Sequence, residues 1–139
     1  MTFSEYALIF LSFVTGAVVI SFLSGWSKLI RNWDNIKFSG VHLSWSLVLF
    51  FYLISYWITD FRWMDLMENP TWLPVALFRP VVLFFCLEVL YPPDTAVLDF
   101  PSYFKTNERK FYFLVVVLQA YEIIVRILKG LSLFEMPRV

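Results

Sequence analysis

A bundle of four membrane-spanning helices is the fold class this sequence predicts, and three observations predict it. Hydrophobic residues make up 60% of the 139 and charged residues only 16%, against roughly 45–50% and about 25% in a soluble domain. Aromatics reach 21%, with 16 Phe, 7 Tyr and 6 Trp, more than a core this small could hide from water. Four apolar stretches of about 20 residues also recur along the chain, each long enough to cross the hydrocarbon as a helix. The mean hydropathy of +0.70 agrees. Backbone groups in lipid must satisfy one another, and the alternation of a β-barrel is absent, so the spans are helices of one all-α domain.

The first span is expected from about Tyr6 to Trp26. The residues before it carry Glu5 and no Lys or Arg, so they lack the positive segment of a signal peptide, and the stretch reads as a retained span. Ala17, Ser21 and Ser24, with Gly16 and Gly25 nearby, form a small-residue stripe suited to close helix packing. In the connector 27–40, Leu29, Trp33 and Ile36 recur at helical spacing, with Lys28, Arg31, Asn32 and Lys37 on the other side. That pattern predicts a short amphipathic segment in the headgroup layer, the alternative being a simple extension of the first span.

The second span is expected from about Val41 to Ile58, with His42, Ser44 and Ser46 at its start and Tyr52, Ser55 and Tyr56 at its end. One His at such a place reads as an interfacial hydrogen-bonder. The third runs from about Trp72 to Tyr91 and holds Arg79, Pro80 and Glu88. Proline removes a helical donor, so Pro80 is a candidate kink beside a buried charge; Pro74 marks the first turn. The connector 92–110 opens Pro92-Pro93 and contains Pro101, which predicts an irregular first half. The fourth span is expected from about Phe111 to Leu131.

Candidate functional residues lie on that fourth span. Gln119, Glu122, Arg126 and Lys129 fall within an arc of about 80° on a helix, while Val117, Leu118, Ile124 and Val125 are assigned to an apolar opposite face. A charge in hydrocarbon costs about 2.5–3.5 kcal/mol or more, so such a stripe must face protein or water. One reading is a pore lining, an ion relay or a seam with another chain; the other is an internal ion pair that pins the helix. Glu122 and Arg126 can pair along the helix. Counting depth from the span ends places Arg79 level with Glu122 and predicts a contact between them. Glu88 is expected to reach Arg109 or Lys110, or to snorkel to headgroups.

Basic residues orient the chain. Lys28, Arg31, Lys37, Lys105, Arg109 and Lys110 lie in the first and third connectors, against Arg62, Lys129 and Arg138 on the other side. This places connectors 27–40 and 92–110 in the cytoplasm and both termini outside. Trp26, Trp57, Trp63 and Trp72 sit at span ends as an interfacial belt.

Several function classes are set aside. Net charge is +0, without the basic surface nucleic acid requires. One Cys and one His cannot form an internal disulfide, a zinc site or a bis-histidine haem, so no metal or cofactor is expected. No GxSxG, HExxH, phosphate-loop or CxxC motif occurs, so no catalytic residue is assigned.

The stretch Gly25 to Arg31, Val41 to Trp45, Tyr56-Trp57, Phe61 to Trp63, Tyr103-Phe104 and Arg109 to Phe111 together resemble a group of small bacterial multi-span proteins of about four helices. The resemblance implies a bacterial inner membrane and no particular activity. Four-helix multidrug exporters carry an acid within their first span, and here that span has only Glu5 at its edge.

Self-association is expected, because so small a bundle buries little around its polar stripe. The leading functional expectation is a homo-oligomeric inner-membrane protein whose fourth-span stripe lines an ion-conducting pore or subunit seam, as a channel or a membrane-depolarising effector. The second is a non-conducting scaffold or accessory subunit that docks a cytoplasmic partner. The third is a membrane-embedded enzyme acting on lipid or quinone.

Overall fold

Four helices carry the fold: α1 (Phe3–Arg31), α2 (Gly40–Phe61), α3 (Trp72–Leu90) and α4 (Phe100–Glu135). The structure, a computed structural model, describes residues 2–61, 68–92 and 99–135. Arg62, Trp63 and Arg138 lie outside the described residues. All four helices are long and apolar enough to cross a membrane, which makes the chain a multi-pass membrane protein by length and composition.

Side-chain caps start three of the four helices. Thr2 and Glu5 form a reciprocal capping box on α1, the Thr2 hydroxyl accepting from the Glu5 amide at 3.3 Å and the Glu5 carboxylate from the Thr2 amide at 2.9 Å. Ser39 accepts from the His42 amide ahead of α2, and Asp99 accepts from the Ser102 amide ahead of α4. These side chains satisfy amides that have no partner within the helix.

The helices pack on a seven-residue repeat. Leu11, Thr15, Val18, Phe22, Gly25 and Leu29 are buried along α1, His42, Ser46, Leu49, Leu53 and Tyr56 along α2, and Phe104, Phe111, Leu118 and Val125 along α4. Steps of three and four keep one seam facing a neighbour, the geometry of left-handed helix pairs. Helix α3 is buried on two sides, through Arg79, Leu83, Cys86 and Leu90 on one and Pro80 and Leu87 on the other, and packs most extensively against α1 and α4. It is the central element.

Two expectations need correction. No separate interfacial helix follows the first span: α1 continues to Arg31 and a single 310 turn, Trp33–Asn35, follows. Nothing between Trp26 and Arg31 breaks a helix, so the amphipathic pattern simply extends α1. Helix α3 runs continuously through Pro80, the candidate kink. Within the chain the small-residue stripe is not the packing face, since Ala17 and Ser24 are exposed while only Gly25 is buried.

Helix α4 begins eleven residues before the expected span, at Phe100. Lys105, Glu108, Arg109 and Lys110 are charged but good helix formers, so the helix extends beyond its apolar run. Its first turns slant across the bundle. The Phe100 ring meets His42 at 4.8 Å and the Phe111 ring meets Trp45 at 5.2 Å. His42 to Trp45 rises about 4.5 Å along α2, whereas Phe100 to Phe111 would rise about 16 Å along a straight parallel helix.

Both connectors meet at this end, where Lys37 and Asp99 form a backbone bridge and a 3.9 Å ion pair. It is called the basic end below, and the opposite one the terminal end.

Candidate functional site

Two polar centres interrupt the apolar interior. The first, at the basic end, closes the C-terminus of α3. The last carbonyls of a helix have no internal partner; here side chains from other helices supply them. His42 Nε2 donates to the Leu90 carbonyl at 2.9 Å, and the Tyr103 hydroxyl donates to the Val89 carbonyl at 3.1 Å. Tyr91 turns back over the bundle and shares a hydrogen bond with the Ser46 hydroxyl, which also accepts from Trp26 Nε1 at 2.9 Å. The Tyr91 ring lies directly on Gly25, where a Cβ would fall 2.6 Å from the ring carbons. Glycine is required there because the ring occupies the side-chain space. Trp26, expected from the sequence at a span end, is thus a structural donor.

The second centre, toward the terminal end, contains the charged residues singled out from the sequence. Arg79, only 4% exposed, presents its guanidinium to Glu122, with Nε 2.6 Å from Oε1 and Nη2 donating to Oε2 at 3.3 Å. The Tyr52 hydroxyl donates to the same carboxylate. The Arg79 guanidinium also stands 5.4 Å from the Tyr56 ring and 5.8 Å from the Tyr121 ring, within cation–π range of both. Tyr56 shares a 2.9 Å hydrogen bond with Thr15, and Tyr121 donates to the Val75 carbonyl. Thr15, Tyr56, Arg79 and Glu122 come from α1, α2, α3 and α4 in turn. One polar network therefore ties all four helices.

This arrangement answers the cost of burying charge. An isolated guanidinium at this depth would lose several kcal/mol of hydration, on the order of 2.5–3.5 by insertion scales and more by others. The Glu122 carboxylate and two ring faces take the place of that water, and the Tyr52 hydroxyl in turn serves the carboxylate.

The remaining polar residues of α4 separate. Glu122 points inward, with 17% of its side chain exposed. Arg126 and Lys129 line a cleft of about 500 Å³ between α2, α3 and α4, whose other walls include Tyr52, Ser55, Thr59 and the Arg79–Glu122 pair. Gln119 is exposed on the outer surface. Leu118 and Val125, assigned from the sequence to the face opposite the stripe, are buried immediately beside it. Their seven-residue spacing from Phe104 and Phe111 was the readable mark of the buried seam, and the polar arc flanks that seam.

Glu88 is exposed and accepts from the Ser21 hydroxyl of α1 at 2.8 Å, rather than meeting Arg109 or Lys110. Those two are exposed one turn beyond Lys105 on the slanting start of α4. Among the described residues, no three His, Cys, Asp or Glu side chains gather as a metal site would need.

A further pattern emerges only on the folded helix. Lys105, Tyr112, Gln119 and Arg126 recur every seven residues, and all four are exposed. They form a polar strip parallel to the buried Phe104–Phe111–Leu118–Val125 seam. Compared with known proteins, the chain matches no family model, no curated protein and no solved structure.

Proposed function

We propose that this membrane protein assembles with copies of itself and that the exposed strip Lys105–Tyr112–Gln119–Arg126 faces an inter-subunit seam wide enough for water and small anions. The single observation behind this reading is that strip. Around it α4 exposes Val116, Ile123 and Ile127, a surface suited to acyl chains, and polar groups in their midst need protein or water against them. A strict seven-residue repeat also keeps the strip aligned with a like strip on a neighbouring, supercoiled helix.

The sign of the permeant ion follows from the strip's own charges. Lys105 and Arg126 are its two charged residues and both are basic, while the nearby Glu122 carboxylate is engaged by Arg79 and Tyr52. Cations are repelled and anions are drawn in. Within one chain, Leu83, Cys86, Leu87, Leu118 and Phe111 pack the space between the cleft and the basic end, so the route runs between copies. In this reading the membrane is a bacterial inner membrane, as the resemblance implies, with the basic end in the cytoplasm.

Flux through liposomes tests it. Reconstituted protein should pass chloride well ahead of potassium, and Arg126→Leu should suppress the flux with oligomeric mass in detergent unchanged. Silent vesicles from an intact oligomer, or flux indifferent to Arg126→Leu, would overturn the proposal.

A second reading has its own support. Lys105, Arg109 and Lys110 are exposed together on the slanting start of α4, a compact basic surface for an acidic cytoplasmic partner. A silent oligomer that co-purifies with such a partner would favour this scaffold role.

A further inference from the structure

Helices α1 and α2 hardly touch through their backbones. Side chains join them at the ends, through Thr15–Tyr56 toward the terminal end and Trp26–Ser46 toward the basic end, with Phe22 stacked on Phe50 at 5.2 Å between. Outside these contacts the helices diverge and leave a surface groove. Its larger part, about 670 Å³, lies toward the basic end, and a second part of about 230 Å³ continues it toward the terminal end. Phe22, Leu23 and Phe50 line both parts, so the groove is continuous.

Three properties decide what it holds. The lining is apolar except at one end, where Ser27 and Arg31 stand at the mouth. Arg31 Nη2 donates to the Ser27 hydroxyl at 3.4 Å, which keeps the guanidinium above the groove. Along α2 the groove runs from Leu47 to Ile58, about 16 Å at the helical rise, close to half of a hydrocarbon core about 30 Å thick. That is the reach of one acyl chain through one leaflet.

The geometry points to a bound anionic phospholipid, one acyl chain lying in the α1–α2 groove and its phosphate held by Arg31 at the basic end. A guanidinium can meet phosphate oxygens through two parallel N–H donors, and Trp26 beside it supplies the amphipathic ring that suits the headgroup boundary. A helix from another protein would find no reason for a cation at only one end. This inference depends on the chain residing in a bilayer and is independent of whether it conducts.

Lipid retention provides the test. The full chain is purified in mild detergent with equal amounts of phosphatidylglycerol and phosphatidylcholine, and native mass spectrometry counts the lipids carried. The wild type should hold one phosphatidylglycerol per chain, in preference to phosphatidylcholine by about tenfold, the scale of one charged hydrogen-bonding contact. Arg31→Gln should bring the two lipids near parity. Leu23→Trp, which fills the groove from an exposed position, should expel both with the thermal melt unchanged; Leu47→Trp does the same from the opposite wall should the first variant fold poorly. Equal retention of the two lipids by the wild type overturns the inference, as does an undiminished preference in Arg31→Gln. It is overturned too if Leu23→Trp lowers oligomeric mass with lipid content intact, because the groove then seats a second copy.

Discussion

Arg79 and Glu122, 43 residues apart on neighbouring helices, meet side-on at 2.6 Å with the carboxylate also accepting from Tyr52. Burial changes the value of such a pair. Deleting one partner strands the other charge, which costs about 3–5 kcal/mol, whereas replacing both with apolar residues of similar volume is often neutral. Glu122→Leu alone should therefore lower the melting temperature in detergent severely, and Arg79→Met with Glu122→Leu should recover most of the loss. A double variant no better than the single would mean that the pair does not govern this packing.

Gly25 and Tyr91 make a contact that tolerates no added atom. Gly25→Ala should separate α1 from α3 or displace the ring, at about 1–3 kcal/mol, the usual range for overpacking. Gly16→Ala is the control, since nothing lies within 4 Å of a Cβ there, and it should leave the melt unchanged or raise it. Equal effects of the two substitutions would argue against the Tyr91 placement.

His42 and Tyr103 complete the end of α3. Losing either donor leaves a carbonyl unmet, at about 1–3 kcal/mol each. His42→Leu and Tyr103→Phe should both accelerate amide exchange in the last turn of α3 while leaving its first turn protected. Uniform acceleration throughout the helix would contradict a capping role.

Lys37 and Asp99 are a contrasting case. Their side chains are 79% and 49% exposed, and an ion pair in water is worth about 0–1 kcal/mol. Lys37→Ala should leave stability within measurement error. Asp99→Ala should cost more, because Asp99 also caps α4. Equal losses would show that the ion pair, not the cap, matters.

The polar strip on α4 makes a prediction about neighbours. In a self-associated seam near a two-fold axis, a residue lies close to its own copy. Gln119→Cys should crosslink under oxidation in membranes, and Ile124→Cys, exposed on another side of the helix, should not. Crosslinking at Ile124 with none at Gln119 would place a different face of α4 at the interface.

Much of the architecture and part of the site were legible in the sequence, for identifiable physical reasons. Span positions follow from hydropathy, because lipid tolerates little else. The level placement of Arg79 and Glu122 follows from a constant rise per residue and the need to pair a buried charge. Helix ends were less legible, as at Arg31 and Phe100, because hydropathy ends at a charged residue while backbone hydrogen bonding does not. His42 was legible as a hydrogen-bonder, but its partner was not, nor were the roles of Tyr91 and Tyr103: each serves a carbonyl or a glycine that only the fold brings near. The assignment of Leu118 and Val125 failed differently. An arc drawn through the charges put them on the far face, although the repeat from Phe104 onward already marked them as buried.

The pairing of Arg79 with Glu122 also bears on how the chain is made. At about 5–20 residues per second of synthesis, the arginine precedes its carboxylate by roughly two to nine seconds. During that interval α3 carries an unneutralised guanidinium, which weakens its partition into lipid by about 2.5–3.5 kcal/mol. A chain halted before Glu122 should therefore hold its third span in the bilayer less firmly than the finished chain does.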